Sequence, residues 1–189
     1  MMSMTEQSED SAKRPRVALI VAMGQNREIG CNNDLMWHLR TDMLFFRDTT
    51  MGYFVIMGRK NFDSIPPKYK PLHGRVNVII SRNPDFMYEE CYTCSSLDEA
   101  LEIAASNGEE KVFVIGGGQI YTMAMEAGYV DEMYITHVDA AFPHADVFFP
   151  EFNSNEWHRN SIMSAKADIQ NEFNFEIFHY TKASDMKEE

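Results

Sequence analysis

Two patterns of hydrophobic and polar residues alternate along this chain. Val17-Ala18-Leu19-Ile20-Val21-Ala22-Met23 is an unbroken aliphatic run, which reads as a strand covered on both faces and therefore central in a sheet. Similar runs at about 53–57, 76–81, 111–115 and 133–138 predict further strands. Between them, helical periodicity predicts helices over about 39–50, 59–65, 97–106 and 118–127. Strand and helix alternate, so the expected fold is α/β: a central mixed, mostly parallel twisted sheet of about eight strands, flanked by about four helices. After Trp157 the pattern changes. Phe173-Asn174-Phe175-Glu176-Ile177-Phe178 alternates apolar with polar for part of its length, which predicts a closing antiparallel hairpin at the sheet edge. There is no internal repeat or low-complexity linker. A single domain is expected over 16–182, with a disordered extension at 1–15 and a disordered tail at 183–189.

Composition narrows the function classes. The chain has 189 residues, 44% of them hydrophobic, enough for one well-filled core and short for two. Its formal net charge is -12, a field that repels nucleic acid and anionic membrane, so an anionic ligand must be captured by a local basic site. The polar start lacks the apolar core of a secretory signal, and the 17–23 run is too short to span a bilayer. A cytoplasmic protein follows, and with no coiled-coil pattern, a monomer. Cys31, Cys91 and Cys94 make an odd set without framework spacing, as expected of free thiols in a reducing compartment. Cys91 and Cys94 have no second pair to complete a zinc site, and in an extended segment they point to opposite faces, which favours a structural role.

The predicted helix after Trp37 carries the most informative residue. Leu39, Asp42, Met43 and Phe46 share one helix face, placing Asp42 on an apolar stripe. No Lys or Arg stands three or four residues away to neutralise it, and a carboxylate buried without a partner costs several kcal/mol by order of magnitude. Two readings remain open: Asp42 caps or pairs with something distant, or it awaits a planar ligand offering two N–H groups.

Elsewhere, basic residues cluster at the carboxyl ends of predicted strands, in Gly58-Arg59-Lys60 and Ser81-Arg82, where open α/β sheets bind anions. Val112-Phe113-Val114-Ile115 enters a helix through Gly116-Gly117-Gly118. This is not the GxGxxG fingerprint, but side-chain-free backbone between strand and helix suits a pyrophosphate. His137 with Asp139, and His144 with Asp146, superficially resemble metal spacing; surface pairs are the expected reading, and no metal is anticipated.

Taken together the segments resemble the dihydrofolate reductases over nearly the whole chain, from about residue 17 to 182. The resemblance is carried by Ile29-Gly30, Leu35-Met36-Trp37-His38-Leu39, Asp42, Phe46, Val55-Ile56-Met57-Gly58-Arg59, Ser64-Ile65-Pro66, Leu72-His73-Gly74-Arg75, Ile115-Gly116-Gly117-Gly118-Gln119-Ile120-Tyr121 and Tyr134-Ile135-Thr136-His137, in order.

The resemblance implies that Asp42 binds the pterin 2-amino and N3 groups, supported through water by Thr136, with Trp37 the third member of the catalytic set. It implies that Ile20 and Ile115 offer backbone carbonyls to the pterin, that Val21, Met43, Phe46, Ile65, Leu72 and Tyr121 complete the substrate site, and that Arg75 takes the α-carboxylate of the glutamate tail. NADPH is the implied cofactor, along Val21, Ala22, Ile29, Gly30, Leu35, Gly58, Asn61, Ser64, Ile115, Gly116, Gly117, Gly118, Gln119, Ile120 and Tyr121. Arg59, Lys60, Ser81 and Arg82 would meet its 2′-phosphate. The implied partners are small molecules, dihydrofolate and antifolate-type compounds.

The implied reaction is hydride transfer to C6 of the dihydropterin with protonation at N5, Asp42 orienting and polarising the ring while water delivers the proton. The 24–37 loop resembles the lid that closes over both ligands. This chain departs from the family pattern at Met36, where proline is usual and where methionine predicts a more flexible lid. Asn61 replaces a common threonine, Gln119 stands where arginine is frequent, and the segment 66–72 is longer than in the shortest bacterial relatives. Two rivals remain: a reductase of a pyrimidine intermediate in riboflavin synthesis, against which Asp42 and Arg75 argue, and a non-catalytic binder that keeps the pocket without turnover.

Overall fold

The structure is a computed structural model and describes residues 13–185; the ends expected to be disordered fall mostly outside this range. Eight strands form one sheet in the order β5-β4-β3-β6-β1-β7-β10-β9. β1 (Arg16–Met23) lies between β6 (Lys111–Val114) and β7 (Val130–Val138), parallel to both. β3 (Phe54–Gly58), β4 (Val76–Ile80) and β5 (Cys91–Cys94) continue the parallel half. β9 (Trp157–Ala165) and β10 (Phe175–Lys182) close the other side as an antiparallel hairpin, with β10 against β7. The short strands β2 (Glu28–Gly30) and β8 (Val147–Phe148) pair separately, beside the main sheet.

The unbroken aliphatic run is central because both its faces are covered. Val17, Leu19, Val21 and Met23 join the larger core cluster, with Leu101, Ile120, Met133 and Phe149. Ala18 and Ile20 join the opposite cluster, with Val55, Phe62, Phe113 and Ile115. Four helices, α1 (Arg40–Thr50), α2 (Arg59–Ser64), α3 (Leu97–Ser106) and α4 (Gly118–Glu126), follow the predicted segments closely. The strands the pattern did not predict are short: β2, β5 and β8 span three, four and two residues, too few for alternation to register. None of the helices among the described residues is long and apolar enough to cross a membrane.

The apolar stripe on α1 corrects one expectation. Leu39, just before the helix, is sealed at 1% exposure, whereas Met43 is 49% exposed and Phe46 half-buried; Thr50 is the buried residue of the helix. This face of the helix is therefore covered at its two ends, by Leu39 and Thr50, and opens to solvent between them at Met43. Residues just outside the expected 16–182 span are also structured. Arg14 reaches across to Asp131, whose carboxylate also accepts from Val17 N–H at 2.8 Å, and residues Ala183–Asp185 form a single 3₁₀ turn.

Candidate active site

Asp42 stands in the first turn of α1 and faces β7. Its Oδ1 accepts from the Thr136 hydroxyl at 2.6 Å, a direct contact where a bridging water was expected. The carboxyl is not sealed from solvent, yet protein atoms crowd it; this desolvation, only partly offset by the Thr136 hydrogen bond, pushes its pKa up to about 6. No cation pairs with it among the described residues. The reading of Asp42 as half of a distant ion pair therefore falls away.

Around it the parallel strands deliver backbone. On β1, the Ile20 carbonyl accepts from the buried Tyr121 hydroxyl at 2.7 Å. The Ile115 carbonyl, just past β6, accepts from the Asn61 side chain at 3.1 Å. Asn61 is one of the departures from the family pattern, and here it ties α2 to the end of β6. Phe46, Ile65 and Leu72 pack half-buried against the cluster containing Ile20 and Ile115. Trp37 is 8% exposed, its ring centred 4.9 Å from that of Phe142.

Arg75 is the counterpart of Asp42 with the charge reversed. It is half-buried, bonds His73 O at 3.0 Å and the Thr50 hydroxyl at 3.3 Å, and lies 6.0 Å from the centre of the Phe46 ring. It makes no ion pair among the described residues. Burial and the nearby charge of Arg47 lower its pKa.

The glycine turn leaves β6 with Gly116 at φ +110°, a backbone conformation that favours glycine. A Cβ there would also come within 3.1 Å of the Tyr121 ring, and one on Gly118 within 2.8 Å of Val147, whereas on Gly117 it would meet open space. Gly58 N–H donates to Gly116 O at 2.8 Å, joining this turn to the start of α2. A hollow of about 440 Å³ runs past Gly118 and Gln119 to Val147 and Phe148, and a second of about 190 Å³ includes Ser81, Phe86 and Glu99. Neither reaches Asp42, which its chemistry singles out and volume does not.

Other residues from the expected cofactor set are scattered around these features. Val21, Ile120 and Tyr121 are buried, Ala22 and Ile29 partly so, and Gly30 lies on β2. Leu35, Lys60, Ser64, Arg82 and Gln119 are exposed. Arg59 lies 4.8 Å from the centre of the Phe86 ring and 3.5 Å from Asp63. The His137 ring pairs with the Tyr180 hydroxyl at 2.9 Å; among the described residues, no group of metal-binding side chains assembles. All three cysteines are free thiols.

A family model described as dihydrofolate reductase matches residues 16–182. The chain belongs to the dihydrofolate reductase family. It is 38% identical to the dihydrofolate reductase of Bacillus subtilis over 171 residues, covering 90% of this chain and 97% of the relative. It is 35% identical to that of Staphylococcus haemolyticus, covering 87% and 93%. A solved dihydrofolate reductase from Enterococcus faecalis, complexed with NADP(H) and RAB-propyl, superposes with a TM-score of 0.79 at 26% identity, covering 89% of this chain and 96% of that one.

In this member of the dihydrofolate reductase family, five buried polar residues escaped the sequence reading, Glu28, Thr50, Asn77, Glu132 and Asn171, and three of them shape the surroundings of the site. Asn77 is 1% exposed; its side chain accepts from Leu72 N–H at 2.9 Å and donates to the carbonyls of Leu72 and Arg75, shaping the turn that presents Arg75. A polar residue inside the run Val76-Asn77-Val78-Ile79-Ile80 was its signal. Glu28, 2% exposed, accepts from Asn26 N–H at 2.7 Å and Phe142 N–H at 2.9 Å, tying the 24–37 loop to the chain beyond β7. Burial pushes its pKa up, but these hydrogen bonds outweigh it and the net shift is downward. Asn171, 3% exposed, bonds the start of α1. Neither Glu28 nor Asn171 sits in a pattern that predicts burial.

Proposed function

We propose that this protein reduces 7,8-dihydrofolate to 5,6,7,8-tetrahydrofolate with NADPH, serving one-carbon metabolism as a cytoplasmic monomer that antifolate-type small molecules would inhibit. The observation that carries the reading is Asp42: a desolvated carboxylate, held by Thr136 and without a cation among the described residues. Such a group binds a planar ring through two parallel N–H donors, as the 2-amino and N3 positions of a pterin provide. Ionised Asp42 favours that ligand, so binding of neutral dihydrofolate weakens as pH falls below about 6.

The chain's residues then divide the remaining work. Met43, Phe46, Ile65 and Leu72 wall the ring and keep water from it. Arg75 takes the α-carboxylate of the glutamate tail, since it has no carboxylate of its own among the described residues. Ile20 and Ile115 carbonyls border the ring, while Trp37 and the 24–37 loop cover it. Asp42 orients and polarises the pterin, and water brings the proton to N5.

NADPH fits the remaining features. The open space over Gly117 and the turn from Gly116 to Gly118 would admit its pyrophosphate, and Arg59, Lys60, Ser81 and Arg82 would hold the 2′-phosphate. When bound, the cofactor supplies the hydride.

The test follows NADPH absorbance with dihydrofolate, then with the pyrimidine intermediate of riboflavin synthesis. Oxidation with dihydrofolate alone is expected. Oxidation only with the pyrimidine would assign the protein to the rival reductase. Tight dihydrofolate binding without oxidation would make it a binder.

A further inference from the structure

Helix α1 begins without a cap of its own. Leu39, at the cap position, supplies no side-chain acceptor, and it is too buried for water to serve the first N–H groups freely. Those groups bond instead to the turn between β9 and β10. Arg40 N–H donates to Gln170 O at 3.0 Å, and Thr41 N–H to Asn171 Oδ1 at 3.0 Å. Asn171 Nδ2 donates back to the Thr41 hydroxyl at 3.1 Å. Leu39 and Asn171 form an isolated antiparallel bridge, and Glu172 N–H donates to His38 O at 3.1 Å.

Asn171 is itself immobilised. Asp168 Oδ1 accepts from its backbone N–H at 2.8 Å and from its Nδ2 at 3.1 Å, and Asp168 N–H donates to Asn171 O at 2.8 Å. Further along the same stretch, β10 places Ile177 opposite Thr136 on β7. One continuous segment thus holds both the residue preceding Asp42 and the strand position of the hydroxyl that Asp42 accepts from. The relative placement of the two is set from a single side of the molecule.

We infer that Asn171 is a positioning residue for Asp42: acting through Thr41, it fixes where α1 begins and so where the carboxylate stands against the Thr136 hydroxyl. The part of the inference that concerns catalysis rests on the proposed function. The part that concerns Asp42 does not.

The experiment uses the full chain and two readouts. Carboxyl NMR of the ligand-free protein follows the titration of Asp42, and kinetics give KM for dihydrofolate and for NADPH separately. In Asn171→Ala, the loosened first turn admits water, so the Asp42 midpoint drops from about 6 toward the ordinary carboxylate range. KM for dihydrofolate rises about fivefold, the equivalent of one helix cap, while KM for NADPH is unchanged. The double variant Asp168→Asn with Asn171→Asp keeps an acceptor for Thr41 N–H without facing two carboxylates, and restores both values. A folded Asn171→Ala protein with an unchanged Asp42 midpoint and unchanged KM values overturns the inference. If Asn171→Ala does not fold, Asn171→Ser is read in the same way. Wild-type protein that leaves dihydrofolate untouched would defeat the functional reading alone, since the midpoint is measured without substrate.

Discussion

Two carboxylates stand over the same face of β7 and meet opposite fates. Glu132, 5% exposed, has Lys111 Nζ at 2.8 Å and His179 Nε2 at 2.7 Å. Burial pushes its pKa up, but hydrogen bonds and charge from those two partners bring the net shift below the ordinary value. Four residues along the strand, Thr136 offers Asp42 a single hydroxyl, and desolvation wins. The difference separates structure from function. A carboxylate supplied with cations by its own fold is consumed in holding strands β6, β7 and β10 together; one without a cation among the described residues keeps spare hydrogen-bonding capacity, which the proposed function assigns to the pterin, and costs stability in the ligand-free protein.

Exchanging the charge of Asp42 tests this contrast most severely. Asp42→Asn is expected to lower kcat/KM for dihydrofolate at neutral pH by about two to three orders of magnitude, with NADPH binding retained; near-normal turnover would refute the role given to the residue. The same substitution should stabilise the ligand-free fold at pH 7. Because the folded pKa of about 6 lies above the ordinary 3.8, the folded state holds the proton more tightly. That advantage is complete below pH 3.8 and is lost as pH rises through about 6, so removing the charge recovers about 3 kcal/mol. Urea unfolding at pH 4 and pH 7 measures it, and most of the gain should be gone at the lower pH.

Arg75→Leu probes the charge-reversed case, an arginine with no ion pair among the described residues. KM for dihydrofolate should rise about thirtyfold with stability nearly unchanged, because no ion pair of the fold is lost; a large loss of stability with unaltered KM would make Arg75 structural. Glu132→Gln is the reverse case. It leaves Lys111 without its carboxylate and is expected to cost about 2 kcal/mol in urea unfolding, with kcat/KM of the folded enzyme held within about twofold. A drop in turnover without a drop in stability would erase the contrast between the two carboxylates.

The smallest effect concerns the 24–37 loop. Met36→Pro restricts the backbone and removes an N–H donor, so slower amide exchange across 24–37 and a change in turnover of about threefold or less are expected. Equal lid order and equal closure rates in the two proteins would remove Met36 as a source of flexibility.

Much of this molecule is readable from residue order. Patterns of period 2 and 3.6 arise from local backbone geometry, so the central run, the four helices and the hairpin at the edge could be located one segment at a time. Asp42 was legible because a charge on an apolar stripe violates that local pattern, and the glycine turn because missing side chains mark a backbone constraint. The chain could not declare which carboxylate would go unpaired. Glu132 meets Lys111 and His179 from other strands, and Asp42 meets Thr136 from a strand far along the chain. Nor does anything near α1 reveal that its first turn is capped by Asn171, 130 residues away from Thr41. Sequence by itself determined the elements, their order and the presence of a carboxylate in an apolar setting. Tertiary structure alone decided where that carboxylate stands and that its proton is held to about pH 6, since desolvation and pairing depend on neighbours brought together only by the sheet and its closing hairpin.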